Sequence, residues 1–200
     1  DVNLALPDGA TAIHWSVHWD AIEFTEGLLK AGAEVDVTND LGVAPISIAC
    51  RNGSEAMVGV LLEARANAQT VEPNGETALM SCARTGTQRA VETLLARGAN
   101  PNSFETNSGQ TALMWAAANA HESVVDVLIG AGANVNATSN GEFTPLMFAA
   151  RAGSADVAKL LLDAGADVNA FTSNGLSPLL IAAASLRAIT GSDYRLVVDE

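Results

Sequence analysis

Residues 108–140 read SGQTALMWAAANAHESVVDVLIGAGANVNATSN, and this stretch returns in altered form along the whole chain. Its seed Thr111-Ala112-Leu113 has five counterparts, which are Thr11-Ala12-Ile13, Ala44-Pro45-Ile46, Thr77-Ala78-Leu79, Thr144-Pro145-Leu146 and Ser177-Pro178-Leu179. Successive seeds are separated by 33, 33, 34, 33 and 33 residues. A fixed period of this length is typical of a stacked repeat array, in which each unit contacts only its neighbours.

Each unit carries the signals of a turn followed by two helices. The turn pairs supply the positive φ of a tight hairpin turn, and they are Asp8-Gly9, Leu41-Gly42, Asn74-Gly75, Ser108-Gly109, Asn140-Gly141 and Asn174-Gly175. A Thr or Ser then caps the first helix, and three units place proline at its first position. In the quoted unit we predict helices over 112–119 and 123–130, with Gly132 as a left-handed cap.

Two further features recur with the same period. The pair Leu128-Ile129 returns as Leu-Leu in four other units, and Ala131-Gly132-Ala133 returns with small changes. Together with the turn and the T-A-L start of the first helix, this pattern resembles the ankyrin repeat family, whose units run D-x-x-G-x-T-P-L-H-x-A-A and end in L-L-x-x-G-A-D-V-N. The resemblance covers essentially the whole chain. It implies an all-α repeat solenoid of stacked helix-turn-helix units with β-hairpin or turn tips.

We expect one domain over residues 1–200. Its units are the end of a preceding repeat at 1–7, repeats at 8–39, 40–73, 74–106, 107–139 and 140–172, and a partial repeat at 173–200. Asp1-Val2-Asn3 matches Asp167-Val168-Asn169, so we expect the chain to be a piece of a longer array. Residues 196–200 read as a second helix cut short. The Ala-rich units and the excess of arginine over lysine resemble bacterial ankyrin proteins.

Two units depart from the pattern. In the second, Arg65 replaces the capping glycine and Ala68-Gln69 replaces Val-Asn, so we expect a weaker end of its second helix. In the last, residues 185–192 (SLRAITGS) hold extra residues, which indicate either a lengthened loop or a longer first helix.

The charge balance excludes some classes of partner. A net charge of −13 and a pI near 4.4 argue against binding of a phosphate backbone or of anionic lipid, and they favour a basic partner. The two cysteines, Cys50 and Cys82, occupy small-residue positions of first helices. Because packed helices lie about 8–10 Å apart, we expect buried free thiols and not a disulfide.

The positions that the repeat leaves free are the candidates for binding. The resemblance implies that ligands meet a concave face formed by the tips and first helices, and all three tryptophans fall on that surface. Tryptophan and arginine are enriched at binding hot spots. We therefore predict a partner-binding set of Trp15, His18, Trp19, Arg51, Arg84, Trp115, Asn119, Phe148 and Arg151. Arg51, Arg84 and Arg151 occupy the same position in three units, and we expect a line of positive charge that can receive carboxylates of a partner. Two alternatives remain open, namely that the rings at 15, 115 and 148 are core and that the arginines counter nearby acids.

Catalytic and metal-binding motifs are absent from the sequence. His14 and His18 lie four residues apart, but no third ligand has a fixed place beside them, so we predict no metal and no cofactor. The resemblance gives His14 a role in internal hydrogen bonding and His121 a structural one. We predict a monomeric, non-enzymatic scaffold that binds a partner protein, neither nucleic acid nor a membrane. Alternatives are a regulatory or substrate-recruiting arm of a larger enzyme and a self-associating array; the compartment stays open between cytoplasm and a secreted location.

Overall fold

The computed structural model describes the backbone of residues 1–190 and the side chains of residues 1–184. Within that part the chain forms eleven helices and no sheet. The helices are Ala12–His18 (α1), Ile22–Lys30 (α2), Pro45–Asn52 (α3), Glu55–Glu63 (α4), Ala78–Thr85 (α5), Gln88–Ala96 (α6), Ala112–Ala118 (α7), Glu122–Gly130 (α8), Pro145–Ala152 (α9), Ala155–Asp163 (α10) and Pro178–Thr190 (α11). Odd-numbered helices are the first helices of the units and even-numbered helices are the second. The predicted all-α repeat fold is confirmed.

The starts of the first helices follow the local signals. The hydroxyl groups of Thr77, Thr111 and Thr144 each accept the backbone N–H three residues later, at 3.2, 3.4 and 3.4 Å. Each bond satisfies one of the N–H groups that a helix start leaves without a partner. Pro45 and Pro145 begin their helices, where a missing N–H costs nothing. The predicted caps are confirmed in these three units, and the proline positions are confirmed as well.

The helices form two layers. Each first helix packs on the first helix of the next unit, and the second helices pack on one another in the same order. Small residues such as Ala49, Ala83 and Ala116 are fully buried between the first helices, so the backbones approach closely. Larger residues such as Leu61 and Leu94 fill the space beneath the second layer. The core is therefore continuous along the array, because no unit can bury its own apolar face.

Asparagine side chains tie the ends of successive units together. The Asn102 amide donates to the carbonyl of Gly132 and accepts the N–H of Asn134, at 3.0 and 2.7 Å. Asn136 repeats both bonds with Gly165 and Asp167, at 3.1 and 2.8 Å. These bonds satisfy polar backbone groups that follow the second helices α8 and α10.

The expectation of two free thiols is wrong, because Cys50 and Cys82 form a disulfide between α3 and α5. Their Cα atoms lie 4.5 Å apart, and both side chains are fully buried. The axes of neighbouring first helices are farther apart than this. However, residues at the contact line of two helices lined by small side chains approach much more closely than the axes do.

The fifth turn also differs from its prediction. Asn140-Gly141 was expected to supply the left-handed residue, but that conformation belongs to Glu142, with φ +63°. Glu142 holds the repeat position of Gly109 in the preceding unit, since the two lie one period apart. Stacking thus fixes the left-handed position by its place in the unit, even where the residue there is not glycine.

The two departing units behave as follows. Arg65 adopts φ +68° at the position that Gly132 takes in the quoted unit, so the second helix there ends in a conformation that disfavours side chains. In the last unit α11 continues to Thr190, which supports the longer first helix over the lengthened loop. The segment 196–200, predicted as part of a second helix, lies outside the described residues.

Candidate partner-binding groove

Two adjoining depressions lie between the tips and the first helices of the middle units. The first has a volume of about 400 Å³ and is lined by Asn74, Glu76, Arg84, Glu105, Asn107, Ser108, Gln110, Trp115, Ala118 and Asn119. The second has about 390 Å³ and shares Asn107, Ser108 and Gln110 with the first; it adds Ser139, Asn140, Gly141, Phe143, Phe148 and Arg151. We call the two together the central groove. Five of the nine predicted site residues line it.

The tips that form one wall are held in place by their own backbones. The N–H of Thr106 donates to the carbonyl of Asn74 at 2.8 Å, and that of Asn140 donates to Ser108 at 2.7 Å. Gly109 is buried against the next tip, and a Cβ there would lie 2.5 Å from the Asn140 side-chain oxygen. Each tip in this wall is therefore held in position by hydrogen bonds to the neighbouring tip.

Arg84, Trp115 and Asn119 form the first-helix wall of the first depression. The Arg84 guanidinium lies 5.0 Å from the centroid of the half-buried Trp115 ring, in a cation–π contact. The Asn119 amide donates to the Trp115 carbonyl at 2.8 Å, at the end of α7. Arg84 belongs to the preceding unit, so the stacking of units brings these predicted residues together.

The arginines at equivalent positions do not form a line of unpaired positive charge. Arg51 pairs with the buried Glu72 and lies 3.7 Å from Glu76, and Arg84 lies 3.9 Å from the same Glu76 oxygen. Ser81 also donates to that oxygen, at 2.6 Å. For Arg51 and Arg84 the structure thus agrees with the alternative of arginines that counter nearby acids. A partner's carboxylate would compete with these internal acids.

Phe148 lies in the floor of the second depression. Its side chain is 3% exposed, and its ring packs 5.8 Å from that of Phe143. The Arg151 guanidinium covers the two rings, 5.0 Å from the Phe148 centroid and 6.0 Å from that of Phe143. Two neighbours that the sequence spacing does not reveal therefore cover Phe148, and little of its ring is open to a partner. Arg151 itself is exposed.

Trp15, His18 and Trp19 gather at the first unit, in what we call the aromatic cluster. Their ring centroids are separated by 5.4 Å between the tryptophans, and by 6.0 and 6.3 Å from His18 to Trp15 and Trp19. Trp15 is 38% exposed and Trp19 is 69% exposed. These two rings are therefore not core, in contrast to Phe148.

Sequence reasoning missed the tip residues of the central groove. Glu105 is buried, and burial alone would raise the pKa of its carboxyl. The N–H groups of Gln110, Ser108 and Asn107 donate to it at 2.7–3.0 Å, and together they hold its pKa below the usual range. Glu76 and Gln110 share one repeat position just before the Thr cap. Their shared position could have indicated a groove residue from the sequence. The residue type at that position differs between units, however, so the repeat comparison did not reveal it.

The remaining histidines have structural roles. In His14, Nδ1 accepts the Thr11 N–H at 3.1 Å and Nε2 lies 3.1 Å from the Val43 carbonyl. Burial lowers its pKa. The ring of His121 packs on Gly86, and its Nε2 lies 2.9 Å from the Arg84 carbonyl. The expected internal roles of both residues are confirmed.

The described residues lack the features of a metal site and of a membrane span. They contain no group of three or more His, Cys, Asp or Glu side chains placed to hold a metal ion. None of their helices has the length and apolar character to cross a membrane.

Comparison with known proteins agrees with the repeat architecture. A family described as ankyrin repeats (3 copies) matches residues 21–105 and 46–139, and a second, ankyrin repeats (many copies), matches residues 128–182. The chain is also 43% identical over 53 residues to NF-kappa-B inhibitor alpha of Gallus gallus; the match covers 26% of this chain and 17% of that protein. Ankyrin repeats generally mediate protein–protein interaction. The matches span the turns, both helices and the groove-forming positions of the middle units, and the chain belongs to the ankyrin repeat family.

Proposed function

We propose that this chain is a monomeric, non-catalytic scaffold that binds a partner protein in the central groove. The observation that carries the proposal is the surface formed by Arg84, Trp115 and Asn119 against the tip residues Asn107 and Gln110. It combines an aromatic ring, a guanidinium and amide groups in one depression, which is the composition of a protein-binding hot spot.

Rigidity of the groove supports the proposal. The tips are joined by backbone hydrogen bonds, and Glu76 connects Arg51 and Arg84 through its carboxylate. A partner therefore meets side chains that are already ordered, so little conformational entropy is lost on binding. The family supports the same class of function, and the name of the chicken relative describes it as an inhibitor of another protein.

The direct test removes polar side chains of the groove without touching the core. Arg84→Ala and Asn119→Ala together delete the guanidinium and the amide, both on exposed residues. The double variant and the unaltered chain are immobilised, and proteins captured from lysate of the source cells are compared by quantitative mass spectrometry. We expect a specific partner to be depleted at least tenfold on the double variant, since hot-spot residues contribute more than about 1.4 kcal/mol.

A matched control variant separates groove loss from general loss of charge. Lys159→Ala removes an exposed cation from α10, in the second layer. It should capture the partner as well as the unaltered chain does. A partner that is retained on the double variant and lost on the control would place the binding surface on the second helices and contradict the proposal.

Self-association and an enzyme-linked role are the alternatives to partner binding. Light scattering over a hundredfold range of protein concentration tests the first, because an array that associates would increase in mass with concentration. A catalytic polypeptide among the captured proteins, with activity that changes on binding, would support the role of a regulatory arm.

A further inference from the structure

The aromatic cluster is not explained by packing within the chain. Trp19 lies at the end of α1 and exposes most of its ring, and Trp15 exposes more than a third of its side chain. The two indoles lie 5.4 Å apart and tilt by 35°, so together they form one aromatic surface open to solvent. Contiguous exposed aromatic surface of this kind is typical of a binding site.

The same repeat position binds a guanidinium elsewhere in this chain. Trp15, Trp115 and Phe148 are equivalent residues of their units. Arg84 lies 5.0 Å from the ring centroid of Trp115, and Arg151 lies 5.0 Å from that of Phe148. Within the described residues no arginine or lysine lies over Trp15 or Trp19. Among the described residues, the aromatic cluster therefore offers the same ring position to a cation that does not come from these residues.

Charge near the aromatic cluster favours a cation. Asp20 follows Trp19 directly, and Glu23 lies in the first turn of α2; both residues are exposed. Neither forms a salt bridge with another described residue. The whole chain carries a net charge of −13, which attracts a basic partner over longer distances. Among biological cations a guanidinium is weakly hydrated and planar, so it stacks on indoles more readily than an ammonium group does.

We propose that the aromatic cluster binds an arginine side chain of the partner protein, which stacks on Trp15 and Trp19 beside Asp20. This proposal rests on the proposed function and adds the chemistry of one contact. The partner then reaches from the central groove to the first unit. The net charge of −13 and the two indoles together select a basic segment of the partner.

The proposal can be tested without knowledge of the partner. The probe is the blocked peptide acetyl-Gly-Arg-Gly-amide, titrated into ¹⁵N-labelled protein in 0.15 M NaCl. The three indole N–H signals report on Trp15, Trp19 and Trp115 separately. We expect saturable shifts at Trp15 and Trp19 and none at Trp115, whose ring Arg84 already covers. The same peptide with citrulline in place of arginine has nearly the same shape without the charge, and it should leave all three signals unchanged.

Variants of two exposed aromatic residues complete the test. Trp19→Leu should weaken the response of Trp15 to the peptide at least fivefold. Phe24→Leu removes an exposed ring from α2, outside the aromatic cluster, and should leave the response unchanged. Circular dichroism checks that both variants fold.

Four outcomes would overturn the proposal: no shift at Trp15 and Trp19, equal shifts with citrulline, shifts that do not saturate, or a response that Trp19→Leu leaves intact. Failure here is distinguishable from failure of the proposed function. If Arg84→Ala with Asn119→Ala loses the partner while the peptide produces no shift, the groove assignment stands and only the arginine contact is wrong.

Discussion

Arg65 stores backbone strain at the end of α4. Its φ of +68° lies in the left-handed region, where a residue with a Cβ is less stable by roughly 1–2 kcal/mol. The side chain is exposed and offers no contact that offsets this strain. We predict that Arg65→Gly raises the free energy of unfolding by about 1 kcal/mol, after the greater flexibility of glycine in the unfolded chain is included. Denaturant unfolding followed by circular dichroism measures this change.

Arg65→Ala is the matched control for that variant. It removes the arginine side chain but keeps a Cβ in the left-handed conformation, so its stability should stay close to that of the unaltered chain. If Arg65→Ala raised the free energy of unfolding as much as Arg65→Gly does, the arginine side chain, and not the backbone conformation, would be the source of the instability.

His14 should make stability depend on pH. Burial lowers its pKa, and its Nδ1 accepts an N–H in the neutral form. The unfolded chain takes up a proton near pH 6.5, while the folded chain takes it up only at lower pH, so the unfolded state binds more protons in between. We predict that the free energy of unfolding falls as the pH is lowered through 6.5, and that this fall ends once the pH is below the folded pKa of His14.

The variant His14→Gln isolates this effect, because glutamine does not titrate. Its unfolding free energy should change less over the same pH range, and the difference between the two proteins is the contribution of His14. An NMR titration of the His14 ring in the unaltered chain gives the folded pKa directly, and a value at or above 6.5 would contradict the prediction.

At the scale of elements, the disulfide joins α3 to α5 and closes a loop of 32 residues. A loop of this length predicts a stabilisation of about 3–4 kcal/mol, chiefly because the unfolded chain is constrained. Replacing Cys50 and Cys82 together with alanine should lower the unfolding free energy by about that amount. The loss of packing adds little, since alanine fills both positions in other units.

Reduction supplies the second measurement of the disulfide. Both cysteine side chains are fully buried, so dithiothreitol should leave the bond intact under native conditions and cleave it once the chain is unfolded. Free thiols counted in native protein without reductant would contradict the crosslink. An alanine variant as stable as the unaltered chain would show that the crosslink does not stabilise the array.

For the whole molecule, stability should vary along the array. Only Thr25 is buried in α2, whereas Met57, Val58, Leu61 and Leu62 are all buried in α4. Since each unit is stabilised mainly by its neighbours, units with less buried apolar surface open more often. We predict that backbone amides of α2 exchange with solvent deuterium at least tenfold faster than those of α4 and α6. Equal exchange rates in the three helices would show that the array unfolds as one cooperative unit.

The period of 33 residues, the Thr caps, the prolines and the amphipathic spacing determined the fold from sequence alone. These signals are local or repeated, so each unit carries enough information to specify its own two helices. They also placed Arg84, Trp115 and Asn119 on one surface, because residues at equivalent positions must face the same way in a stack.

Only the tertiary structure decided which of the equivalent positions are open. Trp15 is 38% exposed whereas the equivalent Phe148 is buried under Phe143 and Arg151. Arg51 is paired with Glu72, which lies 21 residues away. The disulfide likewise depends on the close approach of α3 and α5. Burial and pairing at each position are set by side chains of the neighbouring unit and tip, and the repeat pattern specifies where those neighbours lie but not what they cover.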